Sequence, residues 1–117
     1  MQDIETFLAE LKVILGKYFS DCHVKYLLKT SRSLKANLSI NKDTFIAVRY
    51  NSRNGRKDFA LIHQGQRVLG YDNLKTWHIH PFNAPDTHLP CKEPLMEQIF
   101  KEMRAICDKL TKKSPNM

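Results

Sequence analysis

Between Ile4 and Tyr18 the apolar residues Ile4, Phe7, Leu8, Leu11, Ile14, Leu15 and Tyr18 fall three and four apart. That is the period of a helix with one buried stripe, and Asp3 stands where its side chain caps the first turn. Beyond Ser20-Asp21 the period drops to two. Val24, Tyr26 and Leu28 alternate with His23, Lys25, Leu27 and Lys29, and Leu34, Ala36, Leu38 and Ile40 alternate with Lys35, Asn37 and Ser39, as in strands with one buried face. Strands are expected near Val24–Thr30, Leu34–Ile40, Phe45–Asn51, Asp58–His63, Arg67–Tyr71 and Trp77–His80.

The connections suit a meander. Ser31-Arg32-Ser33, Asn41-Lys42-Asp43, Asn54-Gly55 and Gln64-Gly65-Gln66 are turn-forming, and Asn-Gly between alternating runs predicts a tight primed hairpin with positive φ at both residues. Pro81, Pro85, Pro90 and Pro94 then deny the chain backbone donors, which predicts an ordered loop or lid. Pro94 suits the first turn of a second helix, whose stripe is Leu95, Ile99, Phe100, Met103, Ile106, Cys107 and Leu110. Residues 111–117 form a basic tail expected to fray. The expected fold is α+β: an N-terminal helix, an antiparallel five- to six-stranded meander sheet and a C-terminal helix, with both helices on one sheet face and the other face open.

The 117 residues make one domain, large enough to bury a core without metal or disulfide staples. Nineteen Lys and Arg against 12 Asp and Glu give +7, a field that draws phosphate backbones or acidic surfaces, although a surplus of charge also serves solubility alone. Three cysteines, Cys22, Cys91 and Cys107, without a CxxC pair fit a reducing compartment. The acidic start Met1-Gln2-Asp3-Ile4-Glu5 is unlike a secretory signal, and no run of 18 apolar residues is present. A soluble cytoplasmic protein, with no membrane partner, is expected.

The richest stretch for chemistry is Tyr71-Asp72-Asn73-Leu74-Lys75-Thr76-Trp77-His78-Ile79-His80-Pro81. Alternate side chains of a strand share a face, so His78 and His80 point together while Trp77 and Ile79 point to the core. Imidazole titrates near neutrality, so one ring accepts a proton while its neighbour donates one, the combination RNA transphosphorylation needs. Tyr71, brought near His78 by a hairpin, and Asp72, orienting an imidazole, are the expected supporting groups. Asp72-Asn73 also reads as ordinary turn chemistry, and the histidines as ordinary polar residues of an exposed strand. No cofactor is required; zinc held by His78 and His80, with His88 or Asp72 as third ligand, is the alternative. Lys25, Lys29 and Lys35 are expected on the open face with the histidines. Arg53, Arg56, Lys57 and Lys75, with Arg49, are further phosphate contacts, and Phe45 and Tyr71 are candidate stacking platforms. His23 and His63 receive no role.

Tyr71-Asp72-Asn73, then His78-Ile79-His80, then Pro90 and Pro94-Leu95-Met96-Glu97 opening an amphipathic helix, resemble the TumE-type toxins of bacterial and archaeal toxin–antitoxin modules. The likeness runs from about Arg67 to Leu110. Those proteins carry further histidines before the His-x-His, where this chain has Leu74, Lys75, Thr76 and Trp77. The resemblance implies a small toxin acting on RNA or translation and neutralised by a helix-turn-helix antitoxin. It leaves three readings: a metal-independent ribonuclease, a nucleic-acid binder without chemistry, and a module whose basic face binds another protein. A homodimer stays open.

Overall fold

In the computed structural model, which describes residues 2–112, α1 spans Ile4–Tyr18 and α2 spans Met96–Lys112. Between them lie β1 (His23–Lys29), β2 (Ser33–Asn41), β3 (Thr44–Asn51), β4 (Lys57–His63), β5 (Gln66–Asp72), β6 (His78–His80) and β7 (Leu89–Pro90). The seven strands follow one another in sequence order, every pair antiparallel. The six expected strands are all present. The seventh comes from inside the proline-rich stretch, where Pro90 is tolerated because β7 is an edge with no outer neighbour to bond. The tail from residue 113 lies outside the described residues, and 111–112 belong to α2.

Both helices pack on one face of the sheet. Phe7, Leu8, Leu11 and Ile14 of α1 and Ile99, Phe100, Met103 and Ile106 of α2 meet Leu34, Ala36, Leu38, Ile46, Val48, Tyr50, Phe59, Leu61 and Leu69 in one buried cluster. Phe7 stacks on Tyr50 at 4.4 Å between ring centres, and Phe59 meets Phe100 edge-on at 5.8 Å. Asp3 caps α1 by accepting the Thr6 amide at 2.8 Å. The helices are tied to each other by Tyr18, whose hydroxyl donates to Glu97 at 2.7 Å. Cys107 is a core residue at 4% exposure, and burial pushes its thiol up. His63 accounts for the buried Thr44, its Nδ1 lying 2.7 Å from the hydroxyl. No helix among the described residues is long and apolar enough to cross a membrane.

Two local readings are corrected. The tight primed hairpin is at Gln64-Gly65, where φ is +52° and +79°, and not at Asn54-Gly55. At the latter only Gly55 takes positive φ, because the Asn51 side chain accepts the Arg53 amide and the Gly55 amide reaches the Asn51 carbonyl, giving a wider loop. Leu95 is 67% exposed and precedes α2, so it does not belong to the apolar stripe; its amide is instead satisfied by the Gln98 side chain.

Candidate active site

The strand registers lay out the face that the helices leave bare. Lys25, Asn37, Ala47, Ala60, Gly70 and His80 are successive cross-strand partners from β1 to β6. The adjacent row on the same face runs Lys35, Arg49, Asp58, Asp72, His78 and Pro90. His78 and His80 therefore emerge side by side on the open face, while Ile79 packs against the core side.

Their surroundings differ. His80 is buried at 3% exposure, His78 is half-buried and His88, in the loop before β7, is exposed. Asp72 accepts a hydrogen bond from His80 Nε2 at 3.0 Å. A carboxylate only accepts, so this contact puts the proton on Nε2, and the buried Nδ1 has no protein partner. The His88 ring lies across both neighbours, its centre 4.2 Å from that of His80 and 6.1 Å from that of His78, nearly perpendicular to each. Burial pushes the Asp72 carboxyl up, but the His80 bond, the Leu74 amide and the charges of His80 and His78 outweigh it, leaving it below its ordinary value.

Two features seat this cluster. The Arg67 guanidinium donates to the Pro85 carbonyl at 3.1 Å, pinning the proline-rich loop that carries His88. Gly70 stands directly opposite His80, and a Cβ there would lie 3.1 Å from Arg67 Cδ, 3.3 Å from His80 Cδ2 and 3.5 Å from the Phe59 carbonyl. A side chain at this position would crowd both the Arg67 stem and the imidazole. Gly70→Val is therefore expected to cost about 1–3 kcal/mol by overpacking and to displace the ring. Urea unfolding and the His80 ring resonances report this; a variant as stable as the parent with its resonances unmoved would contradict the seating.

Each residue of Tyr71-Asp72-Asn73 has a different job. Tyr71 is the chief correction: it pairs with Ile79 rather than approaching His78, and its hydroxyl donates to Glu102 of α2. Alternation puts it on the helix side with Leu69, and burial together with the Glu102 bond pushes its phenol well up. It is accordingly neither beside the histidines nor free to stack a base. Asn73 binds the β3–β4 loop, accepting the Lys57 amide at 2.7 Å and donating to the Gly55 carbonyl at 3.0 Å.

The basic residues divide as well. Lys25 and Lys35 are on the open face, opposite Asn37 and Arg49. Lys29 is not: a bulge at Leu27 reverses the alternation, so Lys29 pairs with Leu34 and reaches Glu5 of α1 at 3.4 Å. Lys57 also belongs to the helix side, opposite Tyr50, with its ammonium over the Tyr50 and Phe7 rings at 5.8 and 6.0 Å. Arg53 and Lys75 are exposed in turns, and Arg56 pairs with Asp58 at 3.6 Å. Phe45 remains half-exposed on the open face, opposite Ser39 and Ile62.

Asp58 was not singled out by sequence, although the hairpin register that pairs it with Arg49 would have found it. Burial and the neighbouring Asp72 charge push its carboxyl up, against the opposing pull of Arg56, Arg49 and Arg67. Two carboxylates side by side are thus driven apart, one up and one down. With Lys35 and Arg49, Asp58 also lines a depression of about 120 Å³ on this face. For zinc the geometry is unfavourable: His80 Nε2 is taken by Asp72, and among the described residues no three His, Cys, Asp or Glu side chains converge as ligands of one ion.

Compared with known proteins, the chain matches no family model and shows no significant similarity to a curated protein or to a solved structure.

Proposed function

We propose that the open face cleaves RNA by acid–base chemistry, with His78 and His88 as the proton-exchanging pair and Asp72–His80 as the buried support behind them. The observation that carries this reading is the imidazole cluster. Two accessible rings stand 6.1 Å apart, and the third is buried and fixed by a carboxylate at 3.0 Å. A base must reach the 2′-hydroxyl and an acid the departing 5′-oxygen, one on either side of a phosphate, and only exposed rings meet substrate. This moves the second catalytic position from His80 to His88.

One imidazole takes the 2′-hydroxyl proton as the 2′-oxygen attacks phosphorus. The other gives a proton to the 5′-oxygen as its bond to phosphorus breaks. The products are a 2′,3′-cyclic phosphate and a 5′-hydroxyl. Lys25, Lys35 and Arg49, on β1 to β3 of the same face, supply cations for phosphates farther along the RNA without reading sequence. Phe45 offers one aromatic face for a base. The toxin role implied by the TumE-type resemblance, with an antitoxin as partner, belongs to the same proposal, and its cellular readout is growth arrest on induced expression.

The test is single-stranded RNA incubated with the pure protein in a chelator. Fragments ending in 2′,3′-cyclic phosphate are expected, and no cut is expected where the 2′-hydroxyl is replaced by hydrogen. RNA that is retained in a salt-dependent way but stays intact would make the basic face a binder without chemistry.

A further inference from the structure

The two edges of the sheet are finished differently. β7 is two residues long and ends on Pro90, so it presents almost no free ladder. β1 has seven residues, no proline and no outer neighbour, so the backbone groups on its far side are unpaired within the sheet. It also carries three consecutive large apolar side chains in solvent: Tyr26, Leu27 and Leu28 are 42%, 54% and 40% exposed. The bulge at Leu27 brings Leu28 onto the open face opposite Lys35 and leaves Tyr26 on the helix side opposite Ala36, so both sides of the edge are apolar.

Charge decides what fits there. Within β1 the ionised side chains are Lys25 and Lys29, with Lys35 beside them on β2 and Glu5 reaching only Lys29. A second copy added through β1 would set these lysines against their own kind and bring together two chains of +7 each. An acidic strand meets them as counter-charges. Lysines at an edge discourage self-pairing, yet they select a partner of opposite sign.

We infer that β1 accepts an extended acidic peptide segment of another protein as an eighth strand. Main-chain hydrogen bonds hold it; on the helix side its apolar side chains lie against Tyr26, and on the open face its carboxylates meet Lys25, with Lys35 behind it on β2. This edge lies at the opposite end of the sheet from the histidine cluster; Lys25 and Lys35 also belong to the proposed phosphate path, but a peptide strand is held here whether or not RNA is cleaved.

A fluorescent synthetic peptide of about eight residues, the span of one strand, alternating Glu with Val, is the probe, and its Lys–Val counterpart is the control. Saturable binding that weakens with salt is expected, with slowed amide exchange at Val24–Lys29 and at least about tenfold weaker binding to Lys25→Glu, a loss of 1.4 kcal/mol or more. Lys25→Ala removes only an exposed side chain and should weaken binding several-fold in a fully folded protein. No saturation up to about 1 mM, equal affinity for the Lys–Val peptide, exchange protection away from β1, or self-association through β1 would each overturn the inference.

Discussion

His88→Ala is expected to slow RNA cleavage by about 10²–10⁴-fold while unfolding within about 0.5 kcal/mol of the parent protein, and His78→Ala should slow cleavage alike. His88 is exposed on a loop pinned by Arg67 and Pro85, so removing its ring costs the fold little. His80→Ala should differ in kind, losing both stability and rate, because that ring is buried against Gly70 and holds Asp72. Gel-resolved cleavage rates and urea unfolding of the three variants separate the roles. A His88→Ala protein that cleaves at the parent rate would remove His88 from the chemistry.

Asp72→Ala is expected to lower stability by about 1–3 kcal/mol near neutral pH, because the buried His80 imidazole then has no protein partner at either nitrogen. The effect depends on pH in a definite sense. The Asp72 carboxyl is held below its ordinary value of 3.8 in the folded protein, so its charge contributes stability that is fully present above that value and fades as pH falls through the lowered one. Urea unfolding of parent and variant should show a gap that narrows as pH falls below about pH 4. Asp58→Asn should go the other way and stabilise at neutral pH, since burial and the Asp72 charge disfavour the Asp58 carboxylate. A parent–variant gap at Asp72 that is the same at acid and neutral pH would mean that the ionised carboxylate contributes nothing.

Periodicity was a good guide wherever one face is buried. The stripe from Ile4 to Leu15 and the alternation Leu34, Ala36, Leu38 read directly as α1 and β2, because burial forces those spacings. Alternation also put His78 and His80 on one face, since Trp77 and Ile79 had to be the inward pair. What it missed depended on single-residue events or on distant partners. The bulge at Leu27 turned Lys29 to α1, a slip of one residue that reverses every later side chain. Tyr71 differs by one residue of register: the hairpin pairs Asp72, not Tyr71, with His78, which turns Tyr71 to the helix side. That His80 is buried, and His88 lies over it, follows from a fold-back of the proline-rich loop set by Arg67, β7 and Gly70, none of which leaves a periodic mark. Asn54-Gly55 sits in a wider loop because the Asn51 side chain and carbonyl close it, whereas Gln64-Gly65 is the tight turn of the next hairpin.

The pH dependence of RNA cleavage probes the imidazole pair most directly. With one ring accepting a proton and the other donating one, the rate should rise and then fall with pH, and each of His78→Ala and His88→Ala should erase one limb and leave the other. A profile that keeps both limbs in either variant, or cleavage that disappears with a chelator whatever the pH, would show that these two histidines do not divide the acid and base work.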